Sequence, residues 1–174
     1  MEKQTILLLL RVTARVSFLF FLCAFVSSAV ARLWPAAFTR WLDARRRAWI
    51  LSFAASHTVH LALIFCLVNN LGARQFVRRV HWHGILVGGT AFLLIYALAA
   101  AAAFPSHLKP LQAPRFQAFA YYLFWIIFAF AFGVSVTQAW FYVVFTLAAV
   151  AALAVRLIAA RRPRSGAALA AAPN

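Results

Sequence analysis

Apolar residues follow one another along most of this chain, in five long runs separated by short polar stretches. The runs cover residues 16–31, 48–68, 84–104, 117–136 and 139–157. Coiled into helices they are about 24 to 32 Å long, against about 30 Å for the hydrocarbon core of a bilayer. Pro35, Pro105 and Pro114 fall between runs, where helix breakers belong. The pattern predicts an all-α integral membrane protein, a bundle of about five transmembrane helices.

The two ends of the chain are expected to differ from this bundle. Residues 1–15 form an N-terminal segment, the bundle occupies residues 16–160, and the low-complexity residues 161–174 are predicted to be a disordered tail. Alternatively, the first run is a cleaved secretory signal. Arg11 and Arg15 precede it, and it ends in Ala-Val-Ala at Ala29–Ala31, as a cleavage site does. Four later helices remain in either case.

Basic residues between the runs predict the orientation. With the N-terminus outside, 11 of the 17 Lys and Arg residues lie on the inner side and six on the outer side. Positive charge accumulates on the cytoplasmic side of membrane proteins, so this count favours N-out, C-in, and it disfavours the signal interpretation. The expected location is a bacterial inner (cell) membrane.

Composition excludes several function classes. The chain is 66% hydrophobic with a net charge of +15, and its basic residues sit in short clusters rather than on a folded nucleic-acid-binding surface or motif, so no nucleic acid is expected. Glu2 and Asp43 are the only acidic residues, and both lie outside the apolar runs. Carboxylate-bridged metal sites and carboxylate proton relays therefore cannot be built inside the membrane. Cys23 and Cys66 lie in different apolar runs and are expected to be small packing residues.

Histidine is the remaining source of chemistry, above all in "SHTVH". His57 and His60 are three residues apart and share one helical face, so both can look into the bundle. Imidazole can ligate haem iron without a carboxylate, and Arg74, Arg78 and Arg79 follow just beyond the end of the helix, where haem propionates need cations. A packing role is equally open, in which a histidine bonds a backbone carbonyl or Thr90 across a helix interface.

The other three histidines are expected at the membrane surface. His81 and His83 flank Trp82 at the edge of a run, which is typical of interfacial anchoring. His107 is expected in a loop. Gly88 and Gly89 indicate close helix packing.

The stretch "RRRAWILSFAASHTVHLALI" resembles the ferric reductase-like transmembrane domain family, which includes the haem-binding membrane subunit of the bacterial methionine sulfoxide reductase system. The family's basic pair and the histidine about 13 residues later match Arg46, Arg47 and His60, and the Ser-His-x-x-His pattern of a subgroup also matches His57. "VGGTAFLLIYALAAAA" and "PRFQAFAYYLFWIIFAFAFG" are similar to the next two helices. The resemblance covers about residues 32–136.

The chain departs from this family at the partner helix. Gln117 stands where the family has one histidine, and Phe130 stands where the methionine sulfoxide system subunit has another. The resemblance therefore implies a b-type haem with His60 as its iron ligand, and with His57 or His83 recruited as a second ligand or no second ligand at all. Phe130 is expected to lie level with His60.

Three functions are consistent with these patterns. The first is membrane electron transfer through haem, as the subunit of an oxidoreductase whose electron donor is a separate redox partner protein. The second is a haem-free structural or partner-binding subunit that keeps the bundle and has lost the cofactor. The third, a small-molecule transporter, is less favoured, because no run is broken at its centre by paired Gly or Pro.

Overall fold

The computed structural model of the chain describes residues 2–162, except for the side chain of Arg79. Its helices are α1 (Lys3–Leu33), α2 (Ala37–Ala44), α3 (Arg46–Leu71), α4 (Ala73–Ala103), α5 (Pro114–Ser135) and α6 (Tyr142–Arg161), with a 3₁₀ turn at Lys109–Gln112. Five of them are long and apolar enough to cross a membrane: α1, α3, α5, α6 and the Val80–Ala103 part of α4. The prediction of an all-α membrane bundle of about five helices is confirmed.

The helix boundaries follow local chemistry. Gly72 ends α3 with a φ of 77°, a left-handed conformation that side chains rarely adopt. Pro114 opens α5 at the first helical position, where a missing N–H costs nothing. We call the end of the bundle where α3 and α5 begin the Arg46 end, and the opposite end the Gly72 end.

Helix α1 is much longer than its apolar run. It begins at Lys3 rather than near residue 16, so most of the expected N-terminal segment is helical. Its 31 residues correspond to about 46 Å, more than the hydrocarbon core, so it tilts or extends beyond the membrane. Arg15 is accommodated within it because the guanidinium lies 4.7 Å from the centre of the Phe141 ring and donates to the Tyr142 hydroxyl at 3.0 Å. Of the expected tail, residues 163–174 lie outside the described part.

Helix α4 contains a break. His81 has a φ of 59°, so the helical segment that carries Arg74 and Arg78 is separate from the membrane span that comes after it. A β-carbon is crowded in this region of backbone space, and such a conformation persists only when the surroundings impose it.

The core of the bundle is aromatic and is centred on α1. Phe18, Phe21 and Phe25 lie on one face of α1 and pack against Phe53 of α3 and Phe124 of α5, all of them nearly inaccessible. Ring centroids lie 5.3 to 6.1 Å apart for pairs such as Phe21–Phe53 and Phe21–Phe124, mostly tilted or edge-on, which aromatic quadrupoles favour. Helix α1 packs most extensively on α3 and also against α6.

Candidate functional site

His60 is hydrogen-bonded to the first helix. Its Nδ1 lies 2.8 Å from the hydroxyl oxygen of Thr13 on α1, and that hydroxyl is also 2.9 Å from the carbonyl oxygen of Leu9. The Thr13 hydroxyl has one proton to donate. When it donates that proton to the Leu9 carbonyl, its oxygen can only accept from His60, so Nδ1 of His60 carries the proton of their hydrogen bond. The Nε2 of His60 then carries the free lone pair, which is the form that binds a metal.

His57 has different surroundings. Its ring is packed edge-on against Phe53 of α3, Phe92 of α4 and Phe128 of α5, with centroids 4.8, 5.6 and 6.1 Å away. Its Nδ1 is buried and has no hydrogen-bond partner among the described residues. Leaving a buried polar atom unpaired costs about 1–3 kcal/mol, which makes the His57 imidazole a candidate functional group.

The two histidines are close to each other but cannot sandwich one haem. Their ring centroids are 5.7 Å apart. Axial ligands approach iron from opposite faces of the macrocycle, whereas these two side chains leave the same face of one helix. The α3 backbone between them would occupy the space of the porphyrin, so at most one of them is an axial ligand of a given iron.

The residue facing the histidines from α5 is not the expected one. Phe130 is 70% exposed and therefore lies on the outside of the bundle, whereas Phe128 is buried and contacts His57. Position 130 therefore does not face α3 as a partner of its histidines would, while the expectation that Phe130 lies level with His60 concerns depth in the membrane and stays a prediction. The sequence spacing counted turns from Gln117 but did not reveal which face of α5 is turned inward.

Gln117, at the other position where the family has a histidine, lies at the Arg46 end. It lines a cavity there together with Arg46 and Arg47, and neither His57 nor His60 lines that cavity. The family's partner positions on α5 are therefore found in two unrelated places, one at a polar cavity and one on the outer surface.

The arginines that come after α3 lie at the Gly72 end. Arg74 and Arg78 are exposed and line an open cavity of about 480 Å³ around Gly72. They form no hydrogen bond with His57 or His60 in the described structure, and the side chain of Arg79 is outside it. Their position beyond the end of α3 agrees with the expected place of the cluster, while its role stays a prediction.

The space beside the histidines is limited. A cavity of about 220 Å³ separates α3 from α4, bounded by Leu61, Gly88 and Phe92 among others, and Phe92 is also the α4 residue that contacts His57. Small-molecule sites usually enclose about 300–1,000 Å³. Neither histidine lines this cavity, and it is smaller than a macrocycle needs, so haem binding beside α3 requires α3 and α4 to lie farther apart than they do in this structure.

The remaining histidines stay apart from this pair. His81 and His83 are exposed, and Nδ1 of His107 lies 3.0 Å from the hydroxyl of Ser106 next to it. Within residues 2–162, no group of three or more His, Cys, Asp and Glu side chains is arranged to hold a metal ion.

Sequence reasoning missed the polar residues of α1. Thr13 bonds His60, and four residues later Ser17 is 2.7 Å from the hydroxyl of Ser56. Because α1 and α3 are antiparallel, an i, i+4 pair on α1 meets an i, i+4 pair on α3. The matching spacing of Thr13 and Ser17 with Ser56 and His60 was a signal in the sequence that could have predicted the interface.

Comparison of the chain with protein-family models, with curated proteins and with solved structures finds no match. The function of the chain has to be inferred from its own fold and side-chain contacts.

Proposed function

We propose that the chain is a membrane electron-transfer protein that binds one b-type haem through a histidine of α3, as the resemblance to ferric reductase-like proteins implies. The observation that carries this proposal is the burial of the His57 imidazole inside the bundle, where its Nδ1 bonds no other described residue. An imidazole inside a membrane protein is costly and usually has a partner or a function. Haem iron binds an imidazole through Nε2, and the Nδ1 N–H would then lie among the phenylalanine rings that pack edge-on against His57.

The contacts favour His57 over His60 as the iron ligand. His57 faces α4 and α5, where its ring contacts Phe92 and Phe128, whereas His60 is turned towards α1 and already bonded to Thr13. His60 would then hold α1 and α3 together beside the ligand. With Phe128 and Phe92 unable to coordinate, the iron would have a single protein ligand.

The other parts of the proposal depend on this arrangement. Haem, when bound, supplies one-electron exchange, and the bundle supplies an apolar surround that excludes water. Arg74, Arg78 and Arg79 are proposed to neutralise propionates at the Gly72 end. The electron donor would be a separate redox partner protein, and the chain would act as the membrane subunit of an oxidoreductase.

An absorption spectrum tests the proposal. The full chain, produced with added haem precursor and purified in detergent, should show a Soret band and contain about one haem per chain. His57→Ala should remove most of the haem, His60→Ala should lower the content less, and His107→Ala, a change outside the bundle, should leave it unchanged. A wild-type protein without haem, or equal haem in all four proteins, contradicts the proposal.

A gain of ligand gives an independent test. Phe128→His puts an imidazole on α5 in the position that contacts His57, and we expect a shift to a six-coordinate, low-spin spectrum. Phe130→His is the matched control, because the same change two residues away lies on the outside of the bundle. If Phe130→His changes the spectrum and Phe128→His does not, the assignment of His57 as the ligand fails.

The Thr13–His60 bond favours a second candidate function. A histidine that bonds across a helix interface, with phenylalanines filling the space around its neighbour, is what a haem-free structural or partner-binding subunit requires. In that case His60→Ala and Thr13→Ala lower the stability of the bundle equally, and no variant binds haem. The haem content of the wild-type protein separates the two functions.

We propose that the N-terminus lies outside and the C-terminus inside a bacterial inner membrane, because most of the basic residues then lie on the inner side. The Arg46 end is then cytoplasmic. A reporter fused after Arg162 should be active only in the form that works in the cytoplasm. Activity of a periplasmic reporter at the same position contradicts this orientation.

A further inference from the structure

The Arg46 end contains a polar cavity that the histidine site does not use. It has a volume of about 260 Å³ and lies between the start of α3, the end of α4 and the start of α5. Arg46, Arg47, Gln112 and Gln117 contribute its polar groups, and Ile50 and Leu98 form part of its apolar wall. It is therefore amphipathic, with cations at one side and hydrocarbon at the other.

The two arginines are held in place and keep donors free. Nε of Arg46 is 3.4 Å from the Tyr121 hydroxyl, with the guanidinium stacked 5.0 Å from the centre of that ring. Arg47 donates from Nη2 to the carbonyl oxygen of Ala103 at 3.1 Å. Each guanidinium has five N–H groups, so these single bonds leave most of them available to a ligand.

The glutamines complete the rim of the cavity. Nε2 of Gln112 donates to the carbonyl oxygens of Ala101 and Pro105, at 3.2 and 2.9 Å, and so fixes the loop after α4. Gln117 faces the same cavity from the first turns of α5. A rim built in this way does not have to be ordered by the ligand.

Within residues 2–162, no carboxylate neutralises these cations. The chain has two acidic residues, Glu2 and Asp43, and neither lines the cavity. Two neighbouring guanidinium groups at a membrane edge repel each other and attract an anion. Phosphate is the anion whose geometry suits paired guanidinium donors, and basic pockets between membrane helices recognise lipid headgroups.

Apolar space for an acyl chain lies between the same helices. Farther from the Arg46 end, α4 and α5 bound a second cavity of about 200 Å³, lined by Val87, Thr90, Leu123 and Ile127 among others. Val87 lies about three turns before Leu98, so both are on one face of α4. Cations at the membrane edge with an apolar cavity deeper in suit an amphiphile.

From this arrangement we infer that the cavity of Arg46, Arg47 and Gln117 binds the phosphate of an anionic phospholipid. The inference is independent of the haem proposal, because it uses other residues at the other end of the bundle. A bound phosphate neutralises the arginines and adds a second link between α3 and α5, beside the contact of Arg46 with Tyr121.

The test uses the purified full chain in a neutral detergent. Its melting temperature is measured during titration with short-chain phosphatidylglycerol, with phosphatidylcholine of the same chain length, and with inorganic phosphate. Phosphatidylglycerol should raise the melting temperature in a saturable way, and phosphatidylcholine should do so much less. If inorganic phosphate alone reproduces the effect, the site is a phosphate site whose ligand is a free anion rather than a lipid.

Matched variants identify the site. Arg46→Gln combined with Arg47→Gln should weaken the apparent affinity for phosphatidylglycerol at least about tenfold, because the charge-assisted hydrogen bonds to the phosphate are lost. Arg40→Gln combined with Arg45→Gln removes the same charge from exposed residues at the same end that do not line the cavity, and should leave the affinity within about twofold. Equal loss in both double variants, or equal stabilisation by both lipids, overturns the inference.

A single variant keeps the test valid if the Arg46, Arg47 double variant does not fold. Arg47→Gln keeps the stacking of Arg46 on Tyr121 and removes one bond to a backbone carbonyl. Its helicity and melting temperature without lipid should match the wild type, while its affinity for phosphatidylglycerol falls several-fold. An unchanged affinity in this folded variant rejects the site.

Discussion

The two faces of α3 are packed in different ways. Towards α1 it forms the bonds Thr13–His60 and Ser17–Ser56, and the Phe21 and Phe53 rings close the same interface. Towards α4, bonds such as Arg47–Ala103 and Thr58–Tyr96 lie in the half nearest the Arg46 end, and the other half contains a cavity beside Gly88. We call these the α1–α3 and the α3–α4 interfaces.

The comparison shows where the bundle is rigid and where it can admit a ligand. Lipid is as apolar as a leucine side chain, so helices in a membrane are held together by close packing and polar bonds rather than by the hydrophobic effect. The α1–α3 interface has both between the levels of His60 and Phe53. Among the described residues, the α3–α4 interface lacks such bonds nearer the Gly72 end, beyond the level of His57 and Thr58.

Among the predicted variants, the largest change in the free energy of unfolding should come from removal of an aromatic ring in the core. Phe53→Ala leaves a cavity between α1, α3 and α5, and we expect it to lower the free energy of unfolding by about 3 kcal/mol, at the lower end for Phe→Ala in protein cores. Unfolding in mixed detergent and dodecyl sulfate micelles, followed by circular dichroism, measures it. Phe130→Ala, on the lipid-facing surface, should cost less than about 0.5 kcal/mol.

Filling space at the α3–α4 interface should raise the free energy of unfolding rather than lower it. A β-carbon at Gly88 meets no atom within 4 Å, so Gly88→Ala should stabilise the helix by about 0.5–1 kcal/mol. At Gly84 the same atom would lie 3.0 Å from Cγ1 of Val80, so Gly84→Ala should gain less. A loss of stability in Gly88→Ala, measured by the same unfolding experiment, means that α4 packs against α3 too closely to leave this cavity.

The smallest expected effect is the coupling across the α1–α3 interface. A double-mutant cycle of Thr13→Ala and His60→Ala should give an interaction free energy of about 0.6 kcal/mol, and at most about 1.7, as for other polar pairs in membranes. Thr13→Ala and His57→Ala should be additive, because His57 makes no bond to α1. An interaction free energy of equal size in both cycles would contradict the finding that His60, and not His57, is bonded to Thr13.

Much of the fold was accessible from the sequence because the bilayer fixes helix length. Apolar runs of membrane length predicted α3, α5 and α6 to within about five residues at each end. The extension of α1 back to Lys3 was not predicted, because Arg11 and Arg15 interrupt the apolar pattern. The stacking of Arg15 on Phe141 and Tyr142 depends on a contact with α6 that sequence distance hides.

The histidine site was predictable in its residues but not in its orientation. The sequence by itself determined that His57 and His60 share a membrane helix and that no carboxylate can join them, because composition and helical period decide both. Only the tertiary structure decided that His60 faces Thr13, that His57 faces Phe128, and that Phe130 points outward. The reason is physical: the rotation of each helix about its axis is set by close packing with its neighbours, and in a chain that is apolar on nearly every face the sequence pattern carries little information about that rotation.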